Sequence, residues 1–366
     1  MSFDTLHMAH ALRLAERGLH TTQPNPRVGC VIAHGAEVVG RGWHRRAGEA
    51  HAEVVALAEA GARARGATAY VTLEPCGLHG RTPPCADALV AAGIARVVIA
   101  AGDAFQREGG ALERLRAAGL VVETGLQRED ARELNRGFHS RVERGRPWLR
   151  IKLAMSLDGR TALADGTSKW ITGHAARNDV QRWRARSSAI LTGRGTVLAD
   201  DPALTVRAQA TGDDMASGFV PPLRAVLDRA LRTPPSAQLL DGRAPTLVFH
   251  AAATRVPAGF EGVECHAVES HTDGLELSAV LRELAQRGCN EVQVEAGPTL
   301  CGALFAAGLV DELLLYVAPV LLGDAARPLL ALPALGDMAA CWRLRTVDQR
   351  QVGADWRLLL RPSTEI

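Results

Sequence analysis

Apolar residues in the first 145 positions come in short bursts that alternate between helical and strand-like spacing. The opening stretch puts Leu6, Ala9, Leu12 and Ala15 on one helical stripe. Two strands follow, Val28 to Ala33 and Glu37 to Gly42, turned at His34-Gly35, and then a helix from Ala52 that stops at Gly61. Strand 69–73, helix 86–92, strand 96–101, helix 111–118 and strand 121–124 complete a β-α-β-α-β series. Such a series predicts a mostly parallel sheet with helices on both faces.

The run VERGRP (142–147) is charged and turn-rich, and the strand WLRIKLAMS starts directly after it, so a domain boundary is expected there. The division is 1–145 and 146–366. The second part reads as a further α/β domain. Its helices fall near 175–185 and 278–287, and its strands near 189–192, 224–227, 246–249 and 291–295. Residues 208–218 are small and polar and read as a mobile surface loop.

A chain of 366 residues suits two cores, which agrees with that division. Apolar stretches fall short of a membrane span and charges occupy the N-terminus, so a cytoplasmic protein without membrane partners is expected. Formal charge is +2 with acids and bases interspersed, which argues against a nucleic-acid partner. Seven cysteines, an odd number, argue against a disulfide framework and leave metal binding or plain packing as explanations, most of them being expected in the core.

Three pieces suit a metal: His51-Ala52-Glu53 at a helix start, Pro75-Cys76 after a strand, and Pro84-Cys85 opening the next helix. One imidazole and two thiolates make a three-ligand zinc set whose fourth position holds an activated water. Glu53 is within reach of that water as general acid and base. A structural zinc is the rival reading and requires a fourth ligand, for which His79 is the candidate. The pattern is similar to the H-x-E and P-C-x-x-C signature of zinc nucleobase deaminases, with eight residues between the cysteines instead of two.

PNPRVGCVI, HAEVVAL and TLEPCGLHGRTPPC resemble the deaminase half of the bifunctional riboflavin-biosynthesis deaminase/reductases, whose GRTPPC insertion accounts for the wide cysteine gap. That resemblance implies a cytidine-deaminase-like α/β/α domain acting on a phosphorylated diaminopyrimidinone. It places Asn25 on the pyrimidine edge and His44, Arg81 and Thr82 on ring or phosphate.

KLAMSLDGRTA, SKWITG, LTGRGTVLADDPALTVR and VEAGPTLCGAL resemble the reductase half of the same family. The resemblance implies a dihydrofolate-reductase-like α/β domain that uses NADPH, although no G-x-G-x-x-G opens it. Carried over on matching positions, Ala154, Trp170, Thr196, Asp200 and the run Gly297, Pro298, Thr299, Leu300, Cys301, Gly302, Ala303 contact the cofactor. Ser168, Arg184, Leu204, Arg207 and Glu295 hold the substrate. Both lysines of the chain, Lys152 and Lys169, fall in this stretch, and Lys152 is expected to orient or protonate the sugar. Asp158-Gly159 reads as a turn, and Arg229, where the family more often has a small residue, either meets the cofactor's 2′-phosphate or faces water. A homo-oligomer, dimer or tetramer, is expected. The rival functions are a nucleic-acid or nucleoside base deaminase with an accessory domain, and a non-catalytic binding module stabilised by zinc.

Overall fold

The computed structural model describes residues 2–77, 84–105, 110–207, 218–272 and 274–363. The chain divides into two compact units that meet in sequence between Gly145 and Arg146, with Gly218–Val220 grouped with the first. Among the described residues, no helix is long and apolar enough to cross a membrane. Residues 208–217, most of the expected surface loop, lie outside the described set.

The first unit runs α1 (Phe3–Glu16), β1 (Gly29–His34), β2 (Glu37–Trp43), α2 (Ala52–Ala60), β3 (Thr68–Leu73), α3 (Cys85–Ala91), β4 (Arg96–Ala101), α4 (Ala111–Ala117), β5 (Val121–Thr124), α5 (Arg128–Leu134) and α6 (Arg136–Arg144). Its sheet has the order β2-β1-β3-β4-β5. Period-two alternation explains why helices cover both faces. Cys30, Ile32, Ala69, Val71, Val97 and Ile99 point toward α2, α3 and α4. Val31, Ala33, Tyr70, Val98 and Ala100 point toward α1, α5 and α6.

Three expectations are corrected here. The sheet is mixed rather than mostly parallel, because β1 pairs antiparallel with both β2 and β3 and only β3-β4-β5 runs parallel. Helix α1 buries Met8, Ala11 and Ala15 while Leu6 is exposed, since the stripe that meets the sheet is centred about two positions later than the one read from spacing. Residues 142–144 belong to α6, which ends at Gly145 in the left-handed region (φ 68°), so the connecting turn is shorter than VERGRP.

The second unit runs β6 (Trp148–Ser156), β7 (Arg160–Ala162), α7 (His174–Arg186), β8 (Ala189–Gly193), α8 (Arg194–Asp200), β9 (Leu223–Leu227), β10 (Thr246–Ala251), β11 (Glu264–Val268), β12 (Ser270–His271), β13 (Gly274–Leu275), α9 (Leu277–Gln286), β14 (Glu291–Val294), α10 (Pro298–Ala306), β15 (Glu312–Ala318), β16 (Arg327–Pro328), β17 (Leu344–Val352) and β18 (Asp355–Pro362). Nine strands form one sheet in the order β11-β10-β9-β8-β14-β6-β15-β18-β17. Everything from β11 to β15 is parallel, and the β17-β18 hairpin closes the edge antiparallel. Between β6 and β7, Asp158 accepts backbone N–H bonds from Leu322 and Gly323 and Gly159 takes φ 75°, so this pair is a turn.

On β6, Leu149, Ile151 and Leu153 join the apolar core under α9 and α10. Arg150, Lys152 and Ala154 therefore face the other side. Arg150 is fully buried; it donates to Glu312 on β15 (2.7 Å) and Glu291 on β14 (2.8 Å) and lies over the Trp183 ring. Arg186 and Arg361 add ion pairs to the same two carboxylates at 3.2 and 3.1 Å. A buried guanidinium is tolerated only with such partners. We expect Arg150→Met to lower stability by about 3–5 kcal/mol because it strands buried carboxylate charge. Chemical denaturation should show an earlier transition, and an unchanged midpoint would mean that the cluster contributes nothing.

Candidate active sites

In the first unit, His51 caps the start of α2, Cys76 follows β3, and Cys85 is the first residue of α3. Glycine sets the height of α2 above the sheet: a Cβ on Gly42 would stand 2.2 Å from the Ala52 carbonyl oxygen, and one on Gly40 2.3 Å from that of Ala56. Only a bare backbone at these two positions allows so close an approach.

The result is a three-donor cluster. His51 Nδ1 lies 3.2 Å from Cys85 Sγ and 3.5 Å from Cys76 Sγ, and all three donor atoms fall within 4.8 Å of one another. A tetrahedral zinc with bonds of about 2.0–2.3 Å needs its donors roughly 3.5–3.8 Å apart, so the set fits the ion after small adjustments. Among the described residues the cluster has three donors. His79, the expected fourth ligand of a structural site, lies outside the described residues, as do Arg81 and Thr82.

Thiolate is favoured here. The Cys85 backbone N–H donates to Cys76 Sγ at 3.2 Å. The Cys76 thiol is held down at about 4, first by the hydrogen bond from the Cys85 thiol and further, against burial, by His51. Cys85, the proton-bearing partner beside that charge, is pushed well up. Glu53 sits in the first turn of α2, 3% exposed, and burial raises its carboxyl to about 7.

Behind the cluster, His44 stacks edge-on to His51 with ring centroids 5.4 Å apart. Its Nδ1 meets the Ala50 carbonyl at 3.2 Å, and a carbonyl only accepts, so that nitrogen carries the proton. Nε2 is then the acceptor for the Asn25 amide N–H at 3.1 Å. His44 thus uses both ring nitrogens within the protein and touches Asn25.

The second unit holds a cavity of about 1530 Å³, large for a single small ligand. Its wall includes Lys152, Ala154, Ser168, Trp170, Arg184 and Thr196, together with Asp200, Leu204, Arg207, Glu295, Gly297, Pro298, Thr299, Leu300 and Ala303. Cys301 and Gly302 do not belong to that wall. Cys301 is fully buried and its thiol donates to the Ala296 carbonyl (3.4 Å), while Gly302 packs against Ala331, whose carbonyl oxygen would stand 2.2 Å from an added Cβ. Helical rotation turns these two positions into the core while their neighbours face the cavity.

Glu295 follows β14 and takes two bonds from Arg184 Nε and Nη2, both 2.7 Å, and one from Gln293 at 2.8 Å. Burial alone would raise its carboxyl, but Arg184, with Lys152 adding charge, holds it at about 2. Lys152 shifts the other way: burial lowers it, with Glu295 opposing. Lys169 is exposed and pairs with Asp200 at 3.5 Å. Helix α10 starts at Gly297 with Pro298 in its first turn and no side-chain cap, so its free N–H groups suit phosphate oxygens. Gln181 and Arg177 of α7 and Arg327 of β16 also line the cavity, and no local spacing in the sequence marks them.

The comparisons with known proteins agree over almost the whole chain. Residues 1–101 match the cytidine and deoxycytidylate deaminase zinc-binding region, and residues 147–358 match the RibD C-terminal domain. The chain is 48% identical to riboflavin biosynthesis protein RibD of Escherichia coli (strain K12), covering 96% of this chain and 97% of that one. It is 44% identical to the protein of the same name from Haemophilus influenzae, covering 99% and 98%. Among solved structures, Acinetobacter baumannii RibD superposes with a TM-score of 0.92 at 42% identity over 99% of both chains. The Thermotoga maritima diaminohydroxyphosphoribosylaminopyrimidine deaminase/5-amino-6-(5-phosphoribosylamino)uracil reductase gives 0.86 at 30% identity, again over 99% of both.

The close approach at Gly42 makes a prediction. Gly42→Val should lift the start of α2, cost about 1–3 kcal/mol and weaken metal retention. Zinc content after dialysis against a weak chelator checks this; full retention would show that α2 height does not govern the ligand set.

Proposed function

The chain belongs to the RibD family of bifunctional deaminase/reductases of riboflavin biosynthesis, and from that premise we propose which of its residues carry the two reactions. Residues 1–145 form the deaminase domain and residues 146–366 the reductase domain. The observation that supports the first assignment best is the convergence of His51, Cys76 and Cys85 beside a buried Glu53.

In the deaminase, these three residues hold zinc, which when bound supplies Lewis-acid activation of water at neutral pH. Glu53, poised near neutrality, takes a proton from the attacking water and hands it to the departing ammonia. The substrate is 2,5-diamino-6-ribosylamino-4(3H)-pyrimidinone 5′-phosphate, losing its C2 amino group. Asn25 presents its amide oxygen to the pyrimidine edge, His44 holds that amide in place, and Arg81 and Thr82 contact the ring or the phosphate.

In the reductase, NADPH when bound would supply the hydride that turns the ribosyl side chain into ribityl. Ala154, Trp170, Thr196, Asp200, Gly297–Leu300 and Ala303 hold the cofactor. Ser168, Arg184, Leu204, Arg207 and Glu295 hold the substrate, with the Arg184–Glu295 pair fixing the cavity floor. Lys152 orients the sugar and delivers a proton, which its lowered affinity for protons makes easier.

The enzyme works in the cytoplasm, where its seven unbridged cysteines stay reduced, and it assembles as a dimer or tetramer. Exposed Trp342, Leu344, Val347 and Trp356, at and beside the β17-β18 edge, support that assembly. A light-scattering mass equal to one 38.9 kDa chain would refute it.

Ammonia should be released from the diaminopyrimidinone phosphate without cofactor, and loss of NADPH absorbance should follow only when cofactor is added. Glu53→Gln is expected to lower ammonia release by about 10²–10⁴-fold while zinc content and reduction of the deaminated intermediate persist. Undiminished ammonia release by this variant would exclude Glu53 as the proton carrier. Lys152→Arg should slow reduction and leave deamination unchanged; full reductase turnover would remove Lys152 from the proton step.

A further inference from the structure

We propose that Asn135 is a positioning residue of the deaminase, fixing where Asn25 stands for the pyrimidine edge without itself touching substrate, an inference that rests on the reading of Asn25 given above. Asn25 belongs to the run Pro24-Asn25-Pro26-Arg27 between α1 and β1. Each proline lacks an N–H and locks its own φ at about −65°, and each narrows the backbone choices of the residue before it. The run is therefore stiff, and where residue 27 is fastened residue 25 must follow.

The fastening comes from far along the chain. Asn135 Oδ1 accepts the Arg27 backbone N–H, and Asn135 Nδ2 donates to the Arg27 carbonyl, both at 2.8 Å and both buried. A carboxamide carries a donor and an acceptor side by side, so it can pair with the N–H and C=O of one residue as a neighbouring strand would. Two further bonds join the same elbow to the run. Arg27 Nη1 donates to the Leu134 carbonyl at 2.7 Å, and Arg141 Nη2 of α6 donates to the Pro24 carbonyl at 3.3 Å.

Asn135 stands at the break between α5 and α6, with φ −109° and ψ 21°. An asparagine that starts a helix ordinarily turns its side chain onto an N–H of the first turn. This one makes no such cap and is 2% exposed, its amide being spent on residue 27 instead. Its own backbone is held within the helices, the N–H by the Ala131 carbonyl at 3.3 Å and the carbonyl by the His139 N–H at 3.0 Å. On the other side of the run, His44 Nε2 receives the Asn25 amide N–H, and the His44 backbone N–H meets the Val28 carbonyl at 2.9 Å. His44 thus fixes which way the Asn25 amide turns, and Asn135 fixes where its Cα lies.

The test is a double-mutant cycle in the full-length zinc-loaded protein, following ammonia release from the diaminopyrimidinone phosphate. Asn25→Ala should raise KM about tenfold, the scale of one lost hydrogen bond. Asn135→Ala should raise KM by a similar factor, with kcat, zinc content and NADPH-dependent reduction of the deaminated intermediate close to wild type. Combined with Asn25→Ala, it should add almost nothing, because the group it positions is already gone, whereas a purely structural loss would multiply. Arg141→Ala removes an exposed bond and keeps the test alive where Asn135→Ala does not fold. It should raise KM by a smaller factor in the wild-type background and leave it unchanged in Asn25→Ala. A wild-type KM in both Asn135→Ala and Arg141→Ala overturns the proposal, as do effects that multiply with Asn25→Ala. An Asn25→Ala variant with unchanged KM and kcat overturns the reading of Asn25 itself.

Discussion

Strands buried on both faces leave polar chemistry few places to appear, and that constraint organises both units. Where helices cover each side of a sheet, a charged side chain in mid-strand must find partners inside or lie at the wall of a cavity, so ligands are met chiefly at strand ends and helix starts. The three clustered donors obey this: His51 and Cys85 start helices and Cys76 lies three residues past a strand. So do the cavity residues that follow β8, β9 and β14.

The exceptions on β6 show what an interior charge requires. Arg150 and Lys152 stand two residues apart on the same face of that interior strand. Arg150 is enclosed by two carboxylates and an indole ring and serves the fold. Lys152 reaches the cavity, with Glu295 close enough to oppose the effect of its burial. One strand thus carries a cation enclosed by its partners and a cation at a cavity wall, separated by a single inward step of the pleat.

Burial also tunes the deaminase carboxyl. Glu53 is raised because the close seat of α2 on the sheet keeps water from it, and that seat exists because Gly40 and Gly42 have no side chains. The same seat brings His51 to the two sulfurs. Packing of the first unit and proton affinity at its site are consequences of one contact between a helix and a strand.

Much of this was legible in the chain. Strands 96–101, 121–124 and 148–156 have the bounds that their apolar runs suggested, and H-x-E with two Pro-Cys pairs pointed to the three donors that the fold brings together, because residue identity and local spacing are sequence properties. Helices α5, α6, α8 and α10 and the strands from β15 onward were not read, since their apolar positions take meaning only from the sheet they cover. Sequence could not tell that His44 is occupied by Ala50 and Asn25, that Cys301 and Gly302 face inward while their neighbours line the cavity, or that Arg150 joins Glu291 and Glu312 across 141 and 162 residues. Those outcomes depend on strand register and helix rotation, which are settled by side chains far apart in the chain packing against each other, and no local pattern records them.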